Sequence, residues 1–336
     1  MNHQNSIVDA LSQEGVLINV TVRYWRATKK LKPQDLGLNP DSVTDRLILL
    51  GHKKLLPKEA LQAFSLIEGR AHGIVESNTF PFLGGLGHYL PNAKLVEITE
   101  KLEQLKQEFQ DATAAFVTNY GRLRTEARAE WETAAAQLSS TPEQLLATIE
   151  TAFPGIEALE CRFRFETRLF QVRAPEAMQT QIVTRTEQLQ VIEARRTAAS
   201  HASETMKQEL DQFLSDCVAS LRQQTADLCS EMLTSIRESK TGVHQKTLNR
   251  LVRFIDQFKQ LNFVGDRQME EQLDQVRSEF LSQTAQDYRE NRFAKEQLEQ
   301  GLTQLRETAS RLASETTAEV AARFGAMGQR RIRFAS

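Results

Sequence analysis

The clearest regularity along the chain is a line of apolar residues at Leu95, Ile98, Leu102, Leu105, Phe109, Ala112 and Phe116, stepping alternately by three and four. That is the a/d seam of a coiled coil. The line continues through Tyr120, Leu123, Ala127, Trp131, Ala134 and Leu138, but its repeated four-residue steps form a stutter that unwinds the supercoil locally. A single helix over this stretch would reach roughly 70 Å at about 1.5 Å per residue. A second line, Leu210, Leu214, Cys217, Leu221, Thr225, Leu228, Met232 and Ile236, averages slightly more than the 3.6-residue helical step and predicts a nearly straight packed helix. Gly242 and Gly265 bracket a third, shorter helix carrying Leu248, Leu251, Ile255, Phe258 and Leu261. A last line runs through Leu273, Val276, Phe280, Thr284 and Asp287, then Leu298, Leu302, Leu305, Ala309, Leu312 and Val320, with a weak middle near Asn291 and Gly301 where a bend is expected. The glycine breaks predict antiparallel packing within one chain. The strict heptad over Leu95–Phe116 predicts, in addition, a seam for self-association.

The first ninety residues follow another rhythm. Val16, Ile18, Val20 and Val22 alternate with other residues and predict a strand with one apolar face. The run Leu47–Leu50 is its expected partner. Pro57 suits the first turn of a helix whose Leu61, Phe64, Ile67 and Ala71 recur at helical spacing. All eight prolines fall within the first 175 residues, so the remainder is free of the strongest helix breaker. These shifts divide the chain into a small α+β head (1–91), a long helix (92–138), a connector (139–175), a long-helix bundle or coiled-coil arm (176–325) and a basic tail (326–336). The connector opens with Ser-Ser-Thr-Pro-Glu, a helix-start signature, and its segment Cys161–Glu166 fits either a short strand or the edge of another helix. The fold class is mainly α and elongated, built on long amphipathic, coiled-coil-like helices.

Charge narrows the function classes only slightly. Lys and Arg total 42 against 44 for Asp and Glu, so no global field draws the protein to nucleic acid or anionic lipid. Three cysteines, Cys161, Cys217 and Cys229, read as reduced thiols rather than a disulfide framework. With no basic and apolar leader at the start and no apolar window long enough to span a bilayer, the expected location is the cytoplasm, away from membranes.

Candidate chemistry is sparse. Phe82-Leu83-Gly84-Gly85-Leu86-Gly87-His88 lacks the Gly-Lys-Ser/Thr ending of a phosphate loop, and Pro91 intervenes before any helix, so it reads as a turn leading into the long helix. The six histidines form no HExxH, and Cys217 and Cys229 lie roughly 18 Å apart along one helix, too far to share a metal. No catalytic, cofactor or metal residue is assigned, and the expectation is a protein without enzymatic activity. One segment departs sharply from the average: no acidic residue lies between Glu14 and Asp35, while Arg23, Arg26, Lys29, Lys30 and Lys32 crowd beside Tyr24 and Trp25. Two readings compete. Either Tyr24 and Trp25 anchor a core and the charges are merely solvated, or Arg23, Trp25, Arg26, Lys29, Lys30 and Lys32 form a surface for an acidic or phosphate-bearing partner.

Three runs, GVLINVTVRYWRATKKLKPQDLGL, LLGHKKLLPKEALQAF and FPFLGGLGHYLPNAKLVEITEKL, resemble an uncharacterised bacterial and phage family catalogued only as a domain of unknown function. The shared features are Trp25 with Lys29 and Lys30, the Gly-x-Lys-Lys-Leu segment Gly51–Leu55, and the turn Phe82–Gly85 ahead of a long helix. The resemblance covers about the first 120 residues by motif and the rest by character. It implies no activity. It does imply a setting, since genes of that family lie in phages and mobile elements beside a MoxR-type ring ATPase and a von Willebrand A-domain protein. The expected function is therefore a non-enzymatic adaptor working with those two partners, with self-association through the long helices. The alternative is a nucleic-acid-binding coiled-coil protein using the basic segment.

Overall fold

A computed structural model describes residues 11–36, 50–139, 141–172, 186–239 and 242–324. The protein is mainly α, with long helices and a small N-terminal sheet region. Its strands are β1 (Gly15–Arg23), β2 (Thr28–Lys30), β3 (His52–Lys54), β4 (Phe80–Phe82), β5 (Gly87–Pro91) and β6 (Arg164–Phe170). Its helices are α1 (Gln62–Asn78), α2 (Asn92–Leu138), α3 (Pro142–Ala152), α4 (Ile156–Glu160), α5 (Thr186–Glu238), α6 (Gln245–Leu261), α7 (Arg267–Phe280), α8 (Ala285–Glu290), α9 (Arg292–Ala313) and α10 (Thr317–Phe324). The chain forms two units, one of Met1–Ile18, Asn78–Val96 and Leu169–Ser336, and another of Asn19–Ser77 and Glu97–Arg168. Strand β1, helix α2 and strand β6 each contribute residues to both.

In the first unit, β5 pairs antiparallel with β4 and with the first half of β1, from Gly15↔Pro91 to Ile18↔His88. The expected partner of β1 was the run 47–50, of which 47–49 lie outside the described residues; Leu50 is in no strand. The glycine-rich segment is likewise not a turn into the helix. It is the tight link between β4 and β5, with Gly84 and Gly85 at φ 63° and 100°, and α2 starts after β5. The sheet's aromatic face meets the helices: Phe82 lies 4.9 Å from Phe213 and Tyr89 4.7 Å from Phe263, ring centre to ring centre. Tyr89 is fully buried and donates to the Leu11 carbonyl at 2.9 Å, and burial raises its phenol far above the ordinary range.

Helix α5 runs for 53 residues. Every residue of the apolar line from Leu210 to Ile236 is buried, and so are the neighbouring Phe213, Val218, Cys229 and Leu233, so the buried face is broader than a single stripe. Helix α9 packs along it. Gln212 accepts from Thr317 at 3.0 Å, Arg222 donates to the Leu312 carbonyl at 2.7 Å, and Arg237 sits 3.6 Å from Glu299. Rising numbers on α5 meet falling numbers beyond α9's start, which makes the pair antiparallel, as the glycine breaks predicted. Gly242 and Gly265 do adopt left-handed φ of 77° and 76° on either side of α6.

The last apolar line is not one bent helix but four. Thr284 and Asp287, taken as stripe positions, form a reciprocal cap that starts α8: the Asp287 carboxylate accepts from the Thr284 backbone at 2.7 Å, and the Thr284 hydroxyl accepts from the Asp287 backbone at 3.3 Å. Asn291 caps α9 by accepting from Ala294 at 3.2 Å. Gly301 lies inside α9 and marks no bend. A Cβ there would fall 2.4 Å from the Phe280 ring, so the glycine admits that ring between α7 and α9.

The other sheet neighbour of β1 is β6, and the connector segment Cys161–Glu166 divides, Cys161 closing α4 and the strand starting at Arg164. In the second unit α2 is buried against its own chain. Ile98, Leu102, Leu105, Phe109 and Phe116 are no more than 5% exposed. Phe109 meets Phe64 of α1 at 5.4 Å and Phe165 of β6 at 5.9 Å. The heptad positions from Ile98 to Phe116 are therefore covered within the chain, where α1 and the segment around β6 supply aromatic contacts of the kind a second helix would have offered.

Candidate functional site

The basic segment begins where β1 ends. Val20 and Val22 point inward, Arg23 is exposed, and Tyr24 and Trp25 then turn into the core, 8% and 5% exposed. Trp25 is ringed by Phe116, Tyr120 and Phe153, with centroids at 6.5, 5.9 and 6.1 Å. Ring pairs at these separations contribute beyond simple burial. Trp25 is therefore an anchor, and of the six candidate residues it alone is unavailable to a partner. Ala27 follows with φ 50°, fully buried, and reverses the chain into β2.

Strand β2 pairs antiparallel with β3, joining Thr28 to Lys54, Lys29 to Lys53 and Lys30 to His52. The ladder is extended by Leu31 N–H donating to the Gly51 carbonyl at 3.0 Å and Leu55 N–H to the Ala27 carbonyl at 2.6 Å. This ribbon is fastened from below. Lys53 is buried and bridges to buried Asp35 at 2.7 Å, and the same Asp35 oxygen accepts from the Lys32 backbone at 2.7 Å. The indole N–H of Trp131, on α2, donates to the Lys54 carbonyl at 3.0 Å. Gly51, Lys53 and Leu55 thus have separate structural duties: a left-handed turn at φ 74°, a buried ion pair and a fully buried core residue.

The remaining cations face solvent. Lys29, Lys30, Lys32, Lys54 and Lys58 are all exposed, and among the described residues none of the five makes an ion pair. Arg26 differs. Its guanidinium lies 4.0 Å over the Tyr24 ring, donates to the Tyr24 hydroxyl, and bridges to Glu68 of α1 at 2.7 Å. Sequence reasoning found Arg23, Arg26, Lys29, Lys30 and Lys32 but missed Lys54 and Lys58. The signal was the Gly51–Leu55 motif, whose two lysines look equivalent until strand pairing turns one inward and one outward.

Between the ribbon and the start of α1 lies an open groove of about 530 Å³. Tyr24, Leu56 and Leu61 form its buried floor, with Arg26, Lys54 and Lys58 at its rim. Glu59 is the single carboxylate among its lining residues.

Elsewhere Cys161 is an exposed free thiol. Cys217 and Cys229 are buried, and desolvation pushes the Cys229 thiol up to about 12 and that of Cys217 well above its ordinary value. Two hydroxyl–imidazole contacts, Thr79 with His88 at 3.1 Å and Ser239 with His244 at 3.0 Å, join the ends of short turns. Among the described residues no three His, Cys, Asp or Glu side chains converge as metal ligands, and no helix is long and apolar enough to cross a membrane. A family profile described as a protein of unknown function (DUF3150) matches residues 13–288. Comparison with curated proteins and with solved structures finds no match.

Proposed function

The chain belongs to the DUF3150 family of proteins of unknown function, and from that premise and the geometry of the ribbon we propose that it is a non-enzymatic interaction protein. The observation that carries the reading is the set of exposed lysines without an ion pair among the described residues, Lys29, Lys30, Lys32, Lys54 and Lys58, held on a backbone that is itself fastened by the buried Asp35–Lys53 pair and the Trp25 core. Ordering the ribbon before a partner arrives lowers the entropic cost of association. Solvated charges on a flexible loop would offer no such advantage. The sequence resemblance supplies the partners: an adaptor of a phage or mobile-element system, acting with a ring ATPase and a von Willebrand A-domain protein.

Co-purification from the native operon tests this. The tagged wild-type protein should enrich the ATPase, the von Willebrand A-domain protein or both, and the Lys29→Glu/Lys30→Glu variant should enrich them less. If the wild-type protein captures neither, the adaptor reading falls.

A further inference from the structure

We infer that the groove beside the ribbon takes an acidic peptide segment of a protein partner, with carboxylates on either side of one apolar side chain. This rests on the interaction reading above and adds the chemistry of the occupant. Three observations select a peptide over a nucleic acid. The floor of Leu56 and Leu61 is apolar and suits a leucine-like side chain, an anchor that a phosphodiester backbone does not carry beside its charges. Both aromatics of the segment are already spent: Arg26 covers the Tyr24 face, and Trp25 lies inside its cluster of rings, so neither offers the platform on which single-stranded bases stack. The rim also includes the Glu59 carboxylate, and Arg26 is already bridged to Glu68, which confines the attraction to Lys54 and Lys58 and suits an occupant with few, separated charges rather than the unbroken charge of a phosphate chain. What remains unspent at the groove, Lys54 and Lys58, is complementary to separate carboxylates, and Lys30 shares the ribbon face of Lys54.

Fluorescence anisotropy on the full chain distinguishes the outcomes. The probes are a short labelled peptide with glutamates flanking one leucine, its glutamine-for-glutamate counterpart, and an oligothymidylate of equal charge. The glutamate peptide should bind most tightly and weaken with salt, and Lys54→Glu/Lys58→Glu should raise its Kd by about tenfold or more, since two attractive contacts become repulsive. Unchanged circular dichroism would show that the variant is folded. Tighter binding of the oligothymidylate, equal binding of the glutamine peptide, or absence of glutamate-peptide binding would each overturn the acidic-peptide assignment. If any of these occurs while co-purification still depends on Lys29 and Lys30, only the occupant is wrong. Loss of that dependence as well removes the interaction surface itself.

Discussion

Replacing Arg222 should open the helical core of the first unit more than any surface change. Its side chain is fully buried and ties three segments: the guanidinium lies 2.6 Å from Asp266, donates to the Leu312 carbonyl at 2.7 Å, and bridges to Glu315 at 2.7 Å. Asp266 is itself 2% exposed and caps α7 by accepting from the Met269 backbone at 3.3 Å. An alanine at 222 would strand that carboxylate in the core, where breaking one side of a buried pair costs about 3–5 kcal/mol. Methionine should rescue little, because it restores volume but not charge. Methionine together with Asp266→Asn should recover a large part, because the fully buried carboxylate is then neutral and the one left unpaired, Glu315, is partly exposed to water. Cys229, fully buried in the same core, provides the assay: with Cys161→Ser removing the exposed thiol, labelling by an aromatic disulfide reagent reports local opening. The expected acceleration for Arg222→Ala is roughly 150- to 5,000-fold, the same free energy expressed as a rate ratio. An acceleration below about tenfold, or a double variant as labile as the single, would refute the clamp.

Other outcomes follow from the same packing. In the folded wild type at pH 8 one thiol, Cys161, should react promptly with such a reagent, and the other two only as the core opens. The Cys229 thiol is raised from 9.0 to about 12, so the unfolded chain gives up this proton first; its contribution to stability is complete below pH 9 and is lost as the pH climbs toward 12, a slope that denaturation of Cys229→Ala should flatten. Trp25→Ala should cost about 3–5 kcal/mol in chemical denaturation, whereas Lys29→Glu/Lys30→Glu should stay within about 0.5 kcal/mol per change. Thr284→Ala, which removes half of a reciprocal cap, should cost about 1 kcal/mol.

Helix placement was legible because periodicity is a local property: the lines at 210–236 and 248–261 name residues that are buried. The last line misled because Thr284 and Asp287 fall at helical spacing yet form the reciprocal cap of a new helix, whereas the weak middle expected near Asn291 is a true break, with Asn291 capping α9. Strand partners were not legible at all. Nothing in Val16–Val22 distinguishes Gly87–Pro91 from another β-prone run, since pairing is settled by aromatic contacts such as Phe82 with Phe213, far away in sequence. The heptad over α2 was real, but periodicity records that a face is covered and not by what. At the basic segment the cations were evident, and the division of labour between Lys53 and Lys54 was not.

The interleaving of the two units sets a timetable for synthesis. The unit of Asn19–Ser77 and Glu97–Arg168 has all its residues once Arg168 has emerged, whereas Phe80, Phe82 and Tyr89 must await Phe213 and Phe263, and α5 must await α9. At about 5–20 residues per second the ribosome needs roughly 5–20 s to add the roughly 95 residues from Arg168 to Phe263. Until that interval ends the apolar faces of β4 and β5 lack their full helical cover. The nascent chain is thus a natural client for a holdase, and its yield on overexpression should depend more on translation rate and chaperone supply than on the stability of the finished fold.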